Sequence, residues 1–291
     1  MFLTIINDSR DQNAFGRQAT RSAALFGCGV STVGVRDDLE AAGNLVDALD
    51  AGEGCPGVVL VNVAPRQRAG KKMQEGGVGF VYQEGNQAEN GSPFGFFYYG
   101  KTLVVSSIDG LTLSLVKKLG IADRISVLNI EASGKAMVER GGFRHAEAMA
   151  KPAYALADFD VAKAERMVTT QFRSYEFLPR VAHWIIGGEP VASVEQPLES
   201  PALPKAIWWI DSFGNAKTTL LSSDVSFVEG KEIQTRFGAL PCFTSLKDVP
   251  DGVGAMVIGS SGLSDKRFLE IVAQGGSAAK RFGLASGSLV C

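Results

Sequence analysis

Apolar positions fall along the chain in two rhythms. Leu3 to Ile6 is a short apolar run ending in Asn7-Asp8, and it predicts a strand that delivers polar groups at its carboxyl end. Residues 14 to 26 then place Phe15, Ala19, Ala23 and Phe26 at near-helical spacing. The pair recurs: Val30 to Val35 predicts a strand, Leu39 to Leu49 a helix, and Val58 to Val63 a wholly apolar strand of the kind buried between two layers. Such alternation predicts an α/β fold with a mostly parallel sheet flanked by helices.

Residues 66 to 95 interrupt the rhythm with glycine and polar residues, and a hairpin with a long tip is expected there. Phe96 to Tyr99 and Lys101 to Ser106 give two further strands, followed by Ile108-Asp109-Gly110 and a helical stretch from Leu111 to Leu119. Pro190, Pro197, Pro201 and Pro204 crowd a stretch without periodicity, which predicts an extended connector over 190–204. The chain therefore divides into an N-terminal α/β domain (1–189), that linker, and a C-terminal domain (205–291). In the last of these, Ala206 to Ile210, Lys217 to Leu221 and Ala255 to Ile258 alternate with turns, and a smaller β-barrel, or else a sandwich, is expected.

Composition narrows the possible partners. The 291 residues carry a net charge of −2 with basic residues scattered, so the long cationic surface that nucleic acid requires is missing. No stretch approaches the roughly 18 apolar residues of a membrane helix, and MFLTIINDSR lacks the basic region of a signal peptide. Cys28, Cys55, Cys242 and Cys291 are far apart with no metal-knuckle spacing, which makes a reducing cytoplasm the simplest compartment.

Asp8, Asp109 and Asp211 each follow an apolar strand, where ligands of open α/β sheets bind; the competing role for each is to cap the next helix or turn. The densest chemistry lies in Ile210-Asp211-Ser212-Phe213-Gly214-Asn215, where a carboxylate, an aromatic ring, a glycine and an amide fall within five positions. That set suits a nucleoside bearing an ammonium. Phe213 could equally be a core residue of the barrel. Further on come Ile258-Gly259-Ser260-Ser261-Gly262 and Leu269-Glu270-Ile271.

In this order the three segments resemble the C-terminal domain of the S-adenosylmethionine hydroxide adenosyltransferases, the family that includes the fluorinase and chlorinase enzymes. The resemblance implies that Asp8 binds the ribose hydroxyls, that Asp211 takes the methionine ammonium, and that Asn215 meets the adenine edge with Phe213 packed on it. Ser260 and Ser261 occupy the place of the family's N-S-R-G turn, with Ser261 in place of arginine, and Gln274 falls beside the base between Ala273 and Gly275. Phe15 stands near the family's tyrosine and Asn13 at its second N-terminal aspartate.

Upstream, Phe143-Arg144-His145-Ala146-Glu147 with Pro152 is similar to the family's F-H-G-R-D-x-x-x-P segment, which puts His145 on the family histidine. Histidine suits proton movement near neutral pH, whereas His183, inside Val181 to Ile186, reads as a packed residue. The family's V-D-P-G-V-G-x-x-R motif is met by Val61-Asn62-Val63-Ala64-Pro65-Arg66-Gln67-Arg68, so Asn62 replaces an aspartate, and the cation is Arg68, Arg66 or Lys71.

By resemblance the chain is expected to hydrolyse S-adenosylmethionine to adenosine and L-methionine, with His145, Asn62 and Arg68 positioning water. Neither a cofactor nor a metal is needed, and a homotrimer with sites between subunits is implied. The alternatives are a noncatalytic S-adenosylmethionine or adenosine binder, a halogenase, and an oligomeric partner-binding protein without nucleoside affinity.

Overall fold

A computed structural model describes residues 1–63, 93–129, 132, 161–170 and 172–291. Its N-terminal sheet contains seven described strands in the order β2-β1-β3-β5-β4-β6-β7: β1 (Phe2–Asn7), β2 (Val30–Gly34), β3 (Gly57–Asn62), β4 (Phe94–Tyr99), β5 (Thr102–Ser107), β6 (Arg124–Leu128) and β7 (Ser193–Pro197). The first four in that order are parallel, while β4, β6 and β7 join antiparallel. Strand β7 lies inside the expected connector. Its extended, proline-flanked sequence serves as an edge strand, where a missing N–H costs nothing.

Helices α1 (Gln12–Phe26) and α2 (Asp38–Gly52) cover opposite faces. Leu3, Ile5, Val58, Leu60, Leu103 and Val105 pack on one face with Phe15 and Phe26 of α1. Also on that side is α6 (Leu178–Ile186), reached through α4 (Val161–Thr169) and α5 (Arg173–Glu176). Ile6, Val59, Val61 and Val104 pack on the other face with Ala41, Leu45 and Leu49 of α2 and Val116 of α3 (Ser114–Leu119). The parity of the strands decides this split, since neighbouring residues point to opposite faces.

Helix α1 starts at Asp11, whose carboxylate accepts from the Ala14 N–H at 2.8 Å, and ends at Gly27 with φ of 62°. Asp37 caps α2 in the same way through Glu40. Going from β1 to β2 the chain moves to one side, and from β2 to β3 it crosses to the other. The switch point therefore lies between β1 and β3, at the carboxyl ends of both.

The C-terminal domain is a curled six-stranded half-barrel in the order β10-β11-β12-β13-β9-β8. Its strands are β8 (Ile207–Ile210), β9 (Ala216–Leu221), β10 (Glu232–Thr235), β11 (Gly238–Phe243), β12 (Gly254–Leu263) and β13 (Lys266–Ala273), with a short α7 (Ala278–Phe282). Helix α2 docks on this sheet as well as on the first. The Trp208 ring covers Gly43 so closely that an added Cβ would lie 2.2 Å from it. Phe268 enters a cluster with Ala42, Val46 and Leu115. No helix among the described residues is long and apolar enough to cross a membrane.

Candidate functional site

The turn between β8 and β9 is built by its own aspartate. Asp211 Oδ1 accepts from the backbone N–H groups of Phe213 and Asn215, both at 2.9 Å, and Oδ2 accepts from Asn215 Nδ2 at 3.1 Å. Two main-chain bonds close the loop, Asp211 N–H to Asn215 O and Gly214 N–H to Asp211 O, each 3.0 Å. The turn-capping role weighed for Asp211 is thus real, yet it consumes mainly Oδ1. Oδ2, with one amide partner, keeps lone pairs that can meet an ammonium.

Gly214 sits at φ of 88° and is buried, and a Cβ there would fall 2.0 Å from Ser277 Oγ. Only glycine meets both demands. Its carbonyl accepts from the Ala279 N–H at 2.9 Å, which ties the loop to the first turn of α7. The segment from Gln274 to Ser277 therefore lies against the Asp211 loop. Gln274 is half-buried and is held through its backbone by Gly252 and Val253, while Gly275 and Gly276 are exposed.

Phe213 is 77% exposed at the tip of the loop, so it is not a core residue of the barrel. An aromatic face, a carboxylate and an amide edge thus stand together on one surface with a glycine-rich backbone turn. Groups of these three kinds are the ones that meet a planar base and a cationic amine.

Ser260 and Ser261 are placed elsewhere. They form a bulge in β12 where the register with β13 shifts between Ile258 and Gly262. Ser260 is exposed, whereas Ser261 is buried and donates to Asp47 Oδ2 on α2 at 2.8 Å. Lys217 Nζ donates to Ser261 Oγ and, at 3.3 Å, to Glu270 Oε1. Gly262 N–H adds a second bond to Asp47 at 3.1 Å, and Arg267 pairs with Asp50 at 2.7 Å. Ser261 pins the half-barrel to α2, and its burial against that helix explains why a small hydroxyl stands here. Burial raises the Asp47 pKa above the ordinary carboxylate value, outweighing the Ser261, Lys217 and Gly262 interactions that lower it.

At the sheet ends of the N-terminal domain, Asp8 is half-buried and leaves the capping of α1 to Asp11, and its N–H donates to Asn62 O at 3.3 Å. Phe15 packs partly against the core beside Arg10 and Gly34. Asp109 follows β5, and its carbonyl accepts from Thr112 Oγ1 at 2.9 Å; Leu113, not Asp109, holds the capping position of α3. Asn62 Nδ2 donates to Asn7 Oδ1 at 3.3 Å across the switch point.

The site residues thus form two regions, the ends of β1, β3 and β5 and the β8–β9 loop. A shared apolar cluster links them: Leu111, two residues after Asp109, and Trp209 both pack against Leu39, Ala206 and Trp208. His145 and Arg68, with Arg66 and Lys71, lie outside the described residues. Among the described residues no group of three or more His, Cys, Asp or Glu side chains is arranged to hold a metal. His183 packs edge-on to Phe26 at 5.3 Å, and burial lowers its pKa, as its place in an apolar helix predicts. Asn7 and Ser107, the last residues of β1 and β5, are buried at the same sheet ends.

Residues 205–291 match the family model of the SAM hydroxide adenosyltransferase C-terminal domain. A search of curated proteins gives no match. Among solved structures, an uncharacterized conserved protein from Thermotoga maritima superposes with a TM-score of 0.61 at 15% identity, covering 99% of this chain and 98% of that one. A conserved hypothetical protein from Thermus thermophilus gives a TM-score of 0.49 at 19% identity over 100% and 99% of the two chains. The Thermotoga likeness shows that the two-domain fold recurs over its full length.

Proposed function

We propose that this chain, whose residues 205–291 match the SAM hydroxide adenosyltransferase C-terminal domain, binds S-adenosylmethionine and hydrolyses it to adenosine and L-methionine. The observation that carries this reading is the Asp211 loop, where Phe213 is exposed, Asp211 Oδ2 keeps acceptor capacity, and Gly214 is locked against the turn before α7. In this reading Phe213 stacks on adenine, Asn215 and the Gln274 backbone meet the base edge, and Asp211 takes the ammonium. Asp8 and Asp109 are the carboxylates assigned to the ribose hydroxyls.

The reaction is an in-line displacement. Oxygen of water or hydroxide forms a bond to C5′, the C5′–S bond breaks with its electron pair going to sulfur, and the sulfonium becomes the neutral thioether of methionine. A proton is released from the attacking water. Positioning and removal of solvent from the nucleophile supply the rate, and His145 and a cation such as Arg68 are assigned to the water.

One observation favours a second reading. Asn62, at the family's aspartate position, is engaged with Asn7 and cannot accept a proton, which suits a protein that binds the nucleoside without turning it over. Incubation with S-adenosylmethionine, with and without chloride or fluoride, followed by chromatography separates the possibilities. Halide-independent release of adenosine and methionine in equal amounts is the expected result. Binding without product would leave the noncatalytic reading, and a 5′-halogenated adenosine would make the chain a halogenase.

A further inference from the structure

Strands β1 and β3 run in parallel and end level with each other, with Asn7 opposite Asn62. Both side chains lie on the face that α1 and α6 cover, since Leu3 and Ile5 precede Asn7, and Val58 and Leu60 precede Asn62, at alternate positions. Asn7 is wholly buried. Asn62 is half-buried and stands at the switch point beside Asp8, whose N–H bonds to the Asn62 carbonyl at 3.3 Å.

Hydrogen bonds fix how the two amides are turned. Asn7 Oδ1 accepts from the Ser9 N–H at 3.0 Å, a group that can only donate, and this settles the Asn7 amide. The same oxygen accepts from Asn62 Nδ2 at 3.3 Å, which settles the second amide in turn. Turning Asn7 over would set its NH2 against two donors at once. Asn62 thus commits its donor to the neighbouring strand, and its acceptor, Oδ1, is the atom turned away from Asn7. Asn7 Nδ2, meanwhile, is buried with no hydrogen-bond partner among the described residues. A buried donor without a partner costs stability, so asparagine at position 7 is a poor choice for packing alone. What it supplies is a fixed acceptor for Asn62.

We propose that Asn7 is a positioning residue, which holds the Asn62 amide so that Oδ1 meets the nucleophile, and that the site thereby selects water over halide. Water donates a hydrogen bond to an amide oxygen, whereas a halide has no proton to donate and is repelled by it. The amide oxygen accepts the hydrogen bond but not the proton, which the displacement releases. This rests on the hydrolase reading and on Asn62 standing beside Asp8, a carboxylate assigned to the ribose, the sugar that bears C5′.

Two experiments separate the amide lock from the reaction. Asn62→Asp sets a carboxylate oxygen against Asn7 Oδ1, and a proton on that carboxylate restores the missing donor. The folded chain should then bind this proton more tightly than the unfolded chain, so the Tm deficit of Asn62→Asp against the parent should shrink as pH falls from neutral toward about 4. On an Asn7→Leu background the same substitution should show little of that recovery, while Asp8 acts on both backgrounds alike. Second, adenosine release is timed alongside calorimetric binding of S-adenosylmethionine. Asn7→Leu, which frees the Asn62 amide, should lose about a hundredfold in turnover with Kd within about twofold, and Asn7→Asp, which keeps the acceptor for both N–H groups, should stay within about fivefold of the parent turnover. High chloride should yield no 5′-chlorinated adenosine.

Equal recovery on the two backgrounds would overturn the proposal. So would parent-like turnover in Asn7→Leu, an equal loss in Asn7→Asp, or a 5′-chlorinated product from the parent. Should the parent bind S-adenosylmethionine yet release no adenosine, the hydrolase reading fails and the selection of water fails with it, while the melts still decide whether Asn7 fixes the amide. If Asn7→Leu does not fold, Asn7→Ala takes its place in both experiments with the same expected results.

Discussion

Asp211 Oδ1 closes its own loop through two backbone N–H groups while Oδ2 accepts from the Asn215 amide, and the substrate role proposed for this carboxylate is testable. Removing a charge-assisted hydrogen bond to the substrate ammonium should cost about 1.5 to 3 kcal/mol of binding in Asp211→Ala. Because the loop also loses its closure, Phe213→Ala is the cleaner companion. With the ring 77% exposed, its removal should leave Tm nearly unchanged yet weaken binding of S-adenosylmethionine in a calorimetric titration. Unchanged affinity in both variants would remove the loop from the site. The turn at Asp211 was legible in the sequence because loop chemistry is local: an aspartate, a glycine and an asparagine at this spacing specify a turn whatever surrounds it, whereas the exposure of Phe213 was not, since a core place in the barrel read equally well. The row of Asn7, Asn62 and Ser107 was not legible either, because it comes from strands far apart in sequence that end side by side.

At the scale of elements, α2 carries the junction between the two sheets. Gly43 gives Trp208 room, and Asp47 and Asp50 bind the bulge and return strand of β12 and β13. Patterning predicted the helix and both sheets but gave no sign that one helix serves two, since an amphipathic stripe does not name its partner. Ser261 shows the same limit. Motif position suggested a substrate contact, while packing buries it against Asp47.

A pH dependence follows from the raised Asp47 pKa. Above that value the folded chain holds a charged, desolvated carboxylate that the unfolded chain does not, which reduces stability. As pH falls through the raised folded pKa toward the ordinary value of 3.8, the folded state takes up the proton first, so this group contributes increasing stability. In Asp47→Asn that gain should vanish. Thermal melts of parent and variant between neutral and mildly acid pH should therefore converge or cross as pH falls, and a constant difference would show that Asp47 is not the titrating group.

Across the whole molecule, the alternation of strands and helices in the first half specified the parallel strands and their two covered faces. The half-barrel was foreshadowed by short strands separated by turns. The antiparallel half of the first sheet was harder to foresee, because β4, β6 and β7 come from separated stretches, one of them reading as a proline-rich connector. The ends of β1, β3 and β5 and the β8–β9 loop lie on different sheets.

The measurement that tests this account most directly is the fate of solvent oxygen. The chain is incubated with S-adenosylmethionine in oxygen-18 water, and the products are weighed by mass spectrometry. Attack of water at C5′ predicts adenosine carrying one heavy oxygen and methionine carrying none. Absence of adenosine, or adenosine without the label, would contradict the account.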